Sequence, residues 1–370
     1  AFRNDVWELT LSGTPTWTQL TPAGSLPPPR DFATSVYDPA ADRLVMYGGN
    51  VKIGANPPVA NSDVWTLSLS GTPTWAFLAT GSPPSARLLH KSFYDSVRNR
   101  MVVMGGTDGS TWRNDAYALP LSGVATWMNL SPAGSPPAPR SDHTLIYDAA
   151  NDRGILFGGR DIVGFFNDVW VLGLSSSAWT RINPVPPGAE ARILHKSAVD
   201  PARNQMLIFG GYSYANGWLN DTWSLDLGAT PTWTRRDLAS VQRPSRRSDH
   251  VLIADPPSDR LVMFGGRDLN HFFNDVWTFD LTTGQWAQLA PAGVPPSPRE
   301  AMTGVYDAPR ARMLVVCGWD GANSLNEVWE LSLTGPPAWT KLTPAGSPPP
   351  GRYAHAMIYD APRDRLIVYG

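Results

Sequence analysis

The chain has 370 residues, 42% of them hydrophobic and 17% charged, with a formal net charge of −2 and a single cysteine. This is the balance of an ordered globular protein, which excludes the disordered and fibrous classes. There is no basic block to hold nucleic acid, no apolar run long enough to span a bilayer, and no second cysteine to close a disulfide with Cys317.

Taken in chain order, the first element opens at Asn4-Asp5-Val6-Trp7, and a second tryptophan follows at Trp17. The opening phrase returns as Ser62-Asp63-Val64-Trp65, Asn114-Asp115-Ala116-Tyr117, Asn167-Asp168-Val169-Trp170, Asn220-Asp221-Thr222-Trp223, Asn274-Asp275-Val276-Trp277 and Asn326-Glu327-Val328-Trp329. The acidic positions lie 52 to 58 residues apart, a period that marks one supersecondary unit copied along the chain. Residues 140–182 show the unit plainly: RSDHTLIYD, RGILFGG, NDVWVLGL and WTRI. These are short runs rich in β-branched and aromatic residues, divided by Gly, Pro, Asn and Asp, and they read as four antiparallel strands a, b, c and d. Most of the Pro-rich stretches fall between d and the next a, about ten residues at a time, as loops of a folded unit.

One such sheet cannot bury both faces, so the units must stack and close into a ring. The expected fold is all-β: a single seven-bladed β-propeller over residues 1–370, with blades at 30–78, 87–130, 140–182, 192–238, 247–289 and 299–342. The seventh blade is closed by residues 1–20, supplying strands c and d, and 352–370, supplying a and b. A start and stop inside a b to c loop suggests a piece of a longer chain.

The chain resembles the kelch-repeat β-propellers. The features that carry the likeness are the Arg-x-x-His opening of strand a, the double glycine after strand b, the Asn-Asp-x-Trp of strand c and the tryptophan of strand d (Trp17, Trp75, Trp127, Trp179, Trp233, Trp286, Trp339). Departures are local: Gly318-Trp319 for one Gly-Gly, Tyr117 for a tryptophan, and Phe32-Ala33 and Ala301-Met302 where His is otherwise expected. The resemblance implies partner binding on the face made by the d to a and b to c loops, at the strand a openings and just after the double glycines.

On that face stand seven arginines, Arg30, Arg87, Arg140, Arg192, Arg247, Arg299 and Arg352. They either hold an anionic ligand or, as residues present in every blade, pair with loop acids or with the strand c Asp. His90, His143, His195, His250 and His355 share one position of strand a and read as groups bonding between blades. With no close His or Cys pair, a metal is not expected, nor any cofactor. The iron-binding set of nitrile-specifier kelch proteins and the tyrosine and cysteine set of galactose oxidase are both missing. The aromatics two positions before strand c (Phe2, Trp112, Phe165, Trp218, Phe272) are either a stacking ring or plugs between loops. Residues that break the repeat are the sharper candidates: the long loop Asn50 to Asn61, Tyr212 and Tyr214, His271, Trp319, and Lys91 with Lys196, two of only four lysines. Arg87 and Arg192 precede those lysines, and Asp31 or Glu300 would complete a polar pocket with them.

Two functions are open. The first is a non-enzymatic binding or scaffold propeller for a protein or glycan, expected to be monomeric and slightly more in keeping with a secreted or cell-envelope setting. The second, by analogy with kelch-type sialic acid mutarotases, is a sugar-active enzyme with a polar central pocket. No nucleophile elbow or phosphate loop supports the latter.

Overall fold

The computed structural model describes residues 2–54, 56–130, 135–184, 188–228 and 230–370. Among them, six sheets have four strands, one has five and one has three. The three-stranded sheet is a small addition, made by Arg30–Asp31, Asn50–Val51 and Val59–Ala60 from the long loop. The other seven are blades of a β-propeller, each an antiparallel a, b, c, d meander. Blade 4 is built from a Thr144–Asp148, b Arg153–Phe157, c Val169–Gly173 and d Ala178–Ile182. Blade 1 joins the two ends of the chain: a Ala356–Asp360 and b Arg365–Tyr369 pair with c Val6–Thr10 and d Thr16–Leu20, with Val6 opposite Tyr369. The remaining strands a are Thr34–Asp38, Lys91–Asp95, Lys196–Asp200, Val251–Asp255 and Thr303–Asp307, in blades 2, 3, 5, 6 and 7. Each strand a packs on the next round a central channel, and that of blade 1 packs on those of blades 7 and 2.

Burial explains the strand compositions. Strand b lies between neighbouring sheets, so it reads as a continuous apolar run; Met101, Val102, Val103 and Met104 have no exposure at all. The strand d tryptophan closes the gap to the preceding blade by packing on the strand b aromatic just before its double glycine: Trp286 on Phe209 at 4.9 Å, Trp339 on Phe264 at 5.0 Å and Trp233 on Phe157 at 5.3 Å. Beyond that tryptophan strand d turns polar and exposed, as in Thr180 and Arg181, which blunts the sheet edge against pairing with other chains. The strand c tryptophans are less uniform. Trp65 is buried with Phe77 across the strand at 5.6 Å, whereas Trp170, expected to be largely buried, is half-buried with Arg181 across the strand.

Truncating Trp233 to Ala is therefore expected to cost about 3–5 kcal/mol in a guanidinium unfolding titration, and Trp170→Ala clearly less. Equal losses, or a loss below about 1 kcal/mol for Trp233→Ala, would mean that the inter-blade tryptophans do not carry the packing.

On the face of the a to b turns, arginine–aspartate pairs join one blade to the next, with Arg98–Asp152 and Arg203–Asp259 both at 2.5 Å and Arg310–Asp364 and Arg363–Asp42 continuing the series. The opposite face carries the d to a and b to c loops.

Candidate functional site

The arginine of each strand a opening turns inward. Arg87 donates from Nη1 to the Gly105 carbonyl at 2.9 Å and to Asp115 Oδ1 at 2.6 Å, and from Nη2 to Asp115 Oδ2 at 3.0 Å. Arg192 makes the same set with Gly210 and Asp221. The aspartate of strand c takes a further bond from the tryptophan two residues on, as from Trp170 Nε1 to Asp168 at 2.7 Å. Burial alone would raise the Asp168 carboxyl, but the bonds and charge of Arg140 outweigh it and hold it below the usual carboxylate range. The Asn-Asp-x-Trp phrase is thus half of a clamp inside each blade. Backbone bonds then tie blades together: the second glycine donates to the arginine carbonyl of the following blade, as from Gly106 to Arg140 at 2.8 Å. Of the two readings of the arginines, the pair with the strand c acid is the one observed. A ligand at the channel mouth meets no guanidinium of Arg87 or Arg192, whose side chains are fully buried.

The double glycine has a steric cause. At Gly159 (φ +95°) a Cβ would stand 2.6 Å from the Ser141 carbonyl oxygen. In blade 7 the alignment differs from the sequence expectation. Cys317, not Trp319, departs from the double glycine: it sits just past strand b at φ 61°, followed by Gly318. Burial pushes its thiol up to about 12. Trp319 lies one residue beyond, bonded through its backbone to Glu300 in both directions at 2.9 Å, with its ring 5.6 Å from Tyr353.

The histidines bond between blades where the preceding strand a offers a threonine: His90 Nε2 to Thr34 Oγ1 at 2.8 Å, His195 to Thr144 at 3.0 Å and His355 to Thr303 at 2.6 Å. Where that threonine is replaced by Lys91 or Lys196, the rings of His143 and His250 have no hydrogen-bond partner at either nitrogen. Lys91 is exposed at the start of its strand a. Enclosure by protein lowers its pKa, the Lys196 ammonium lowers it further, and Asp142 and Asp249 oppose them. Those two aspartates, rather than Asp31 or Glu300, are the acids that act on Lys91.

Asp31 and Glu300 lie in blades 2 and 7, with blade 1 between them. Burial raises the Asp31 carboxyl against a bond from Asn50; burial also raises Glu300, against Arg267 at 2.7 Å. His271 is exposed on the blade 6 loop, 3.2 Å from Asp268.

The loops of blades 4 and 5 meet in an apolar groove. In blade 5, strands b (Gln205–Ser213) and c (Gly217–Asp226) run on through a bulge past the double glycine, forming a hairpin that stands out of the face. Tyr212 packs on Trp218 at 4.9 Å and on Phe165 of the neighbouring loop at 6.1 Å, and Tyr214 lies 6.3 Å from Phe165. Phe165 is a half-buried plug between loops, as Trp112 is, bonded to Ser141 of the next blade at 3.2 Å. Beside it Ile162, Val163 and Tyr214 are 80%, 90% and 88% exposed over a cleft of about 540 Å³ whose rim includes Asp161 and Glu190. The candidate residues therefore fall into separate groups: the lysine pair in the channel, the tyrosine groove over blades 4 and 5, Trp319 with Glu300 at blade 7, and Asp31 and His271 apart. Sequence reading missed Ile162, Val163, Asp142 and Asp249. The available signal was Ser-Asp after Arg in blades 4 and 6 alone (140–142, 247–249), together with an apolar pair inside a loop.

No helix is long and apolar enough to cross a membrane among the described residues, and no cluster of three or more His, Cys, Asp or Glu there is placed to hold a metal. The family model for the KLHDC2/KLHL20/DRC7 Kelch-repeats domain matches residues 1–200 and 149–370. The chain belongs to the kelch-repeat family. It is 29% identical to putative adagio-like protein 2 of Oryza sativa subsp. japonica over 73% of its own length and 44% of that protein. It is 29% identical to Kelch domain-containing protein 1 of Mus musculus over 66% of each. The match to the flagellar outer arm dynein alpha chain of Chlamydomonas reinhardtii, at 28%, spans 79% of this chain and 7% of that one. The chain thus spans less than half of two of these relatives.

Proposed function

We propose that this protein is a non-enzymatic scaffold whose loop face binds a protein partner, and that the groove of blades 4 and 5 is the contact. Membership of the kelch family supports a protein-interaction role in general. The observation that carries the groove is the exposure of Ile162, Val163 and Tyr214 in one cleft with Phe165, whose ring Tyr212 supports. Apolar side chains clustered on loops of a rigid frame mark interaction sites far better than scattered ones. The occupant is an extended peptide segment with an apolar or aromatic anchor, since a cleft this size holds one or two side chains.

Peptides selected from a random display library against the whole chain test the reading. Binding of the selected set should fall by about 30-fold or more, the scale of a lost hot spot of about 2 kcal/mol, on Ile162→Asp or Tyr214→Ala. It should persist on Thr72→Asp in a c to d turn. Unchanged binding on both groove variants, each checked to melt like the parent, refutes the groove as the contact.

A further inference from the structure

The channel carries a second feature that the groove does not use. Lys91 and Lys196 occupy the same position of strand a in blades 3 and 5, with Thr144 of blade 4 between them. Neither lysine side chain has an ion pair within 4 Å or a hydrogen bond among the described residues. Their charges act on each other inside the ring. Each faces a histidine of the following blade that is 0% or 1% exposed and has lost the threonine partner present elsewhere: His143 beside Lys91 and His250 beside Lys196. Lys196 and His250 line one cavity of about 290 Å³ with Thr303. Burial, then the Lys91 charge for His143 and the Lys196 charge for His250, keep both imidazoles neutral, so each has one N–H to give and no acceptor for it. The carboxylates at the mouth offset Lys91 only in part: Asp142 is already joined to Arg160 at 2.8 Å, and Asp249 takes the Ser248 hydroxyl at 2.8 Å. Two ammonium groups without an ion pair, set in one ring of strands, call for an anion with several oxygens.

We propose that the channel at Lys91 and Lys196 binds one small divalent oxyanion, of the sulfate or hydrogen phosphate type, held between the two ammonium groups. The site is independent of the peptide groove.

Reductive methylation of the native protein, read lysine by lysine by mass spectrometry at fixed ionic strength, tests this on the unaltered chain. The four lysines are Lys52, Lys91, Lys196 and Lys341, so two serve as internal controls. Inorganic phosphate, against chloride, should slow modification of Lys91 and Lys196 at least fivefold and leave Lys52 and Lys341 unchanged. Calorimetric titration with phosphate should give one site per chain, weakened tenfold or more by Lys91→Met or Lys196→Met and unaltered by Ile162→Asp. Equal modification of all four lysines with and without phosphate overturns the proposal, as does phosphate affinity that survives the double methionine variant. Loss of peptide binding alone would bear only on the groove.

Discussion

Asp168→Ala is expected to lower the unfolding free energy by about 3–5 kcal/mol, because it leaves a buried guanidinium without its counter-charge. Arg140 has no exposed side-chain surface and lies over the Phe166 ring at 4.1 Å. The same change removes the acceptor of the Trp170 indole N–H. Replacing both partners by apolar residues, Arg140→Met with Asp168→Leu, should recover a large part of the loss, since an uncompensated charge costs more than a missing pair. Urea titrations of the two variants decide it. A single variant within about 1 kcal/mol of the parent would show that the clamp is redundant in its blade.

The second large effect is a loss of stability in mild acid. His90 and His355 are held down to about 3, and His143, His195 and His250 well below the ordinary histidine value, in each case first by burial and then by nearby cations. In the unfolded chain the same rings titrate near 6.5, so below that pH the unfolded state takes up protons that the folded state refuses. Stability is therefore complete above pH 6.5 and falls as pH drops toward 3, by up to about 1.4 kcal/mol per pH unit for each ring. The clamp carboxylates, whose folded values are depressed, add their own loss only below the ordinary carboxylate range; Glu327, for example, is lowered to about 2 against its burial by Lys341, Arg299 and Trp329. Urea midpoints measured from pH 8 to 5 should decline throughout the lower half of that range, ahead of any carboxylate. His90→Gln should flatten the slope. A flat profile from pH 7 to 5 would mean that the rings carry protons in the native state.

The repeat was legible because its residues recur for one reason in every blade. Arg, the double glycine, Asp and Trp are the two halves of the clamp and the tight backbone approach between them, and all of them stand in the sequence at fixed spacing. Reading failed where one blade solved the same problem with other residues. Cys317 takes the first glycine position at positive φ, which moved the apparent substitution to Trp319. The blade 5 hairpin was hidden by a double glycine that ends strand b elsewhere, although the alternation of Tyr212-Ser213-Tyr214 continues the strand. The lysines were visible as departures, but their acids were not. Asp142 and Asp249 stand at φ 57° and 53°, in the left-handed position that every blade has two residues after its strand a arginine and that only these two blades fill with an acid.

The clamps also bear on the order in which the protein assembles. Six of them join residues 28 to 33 positions apart, whereas the seventh, Arg352 to Asp5, spans 347. Closing a short loop costs little chain entropy, and contacts of small sequence separation form fastest. Six blades can each lock within their own repeat, while the sheet shared by the two ends must wait until the others have brought those ends together. The slowest step of folding is then the making of blade 1, and a change that weakens Arg352–Asp5 would be felt in the folding rate out of proportion to its one place among seven equal clamps.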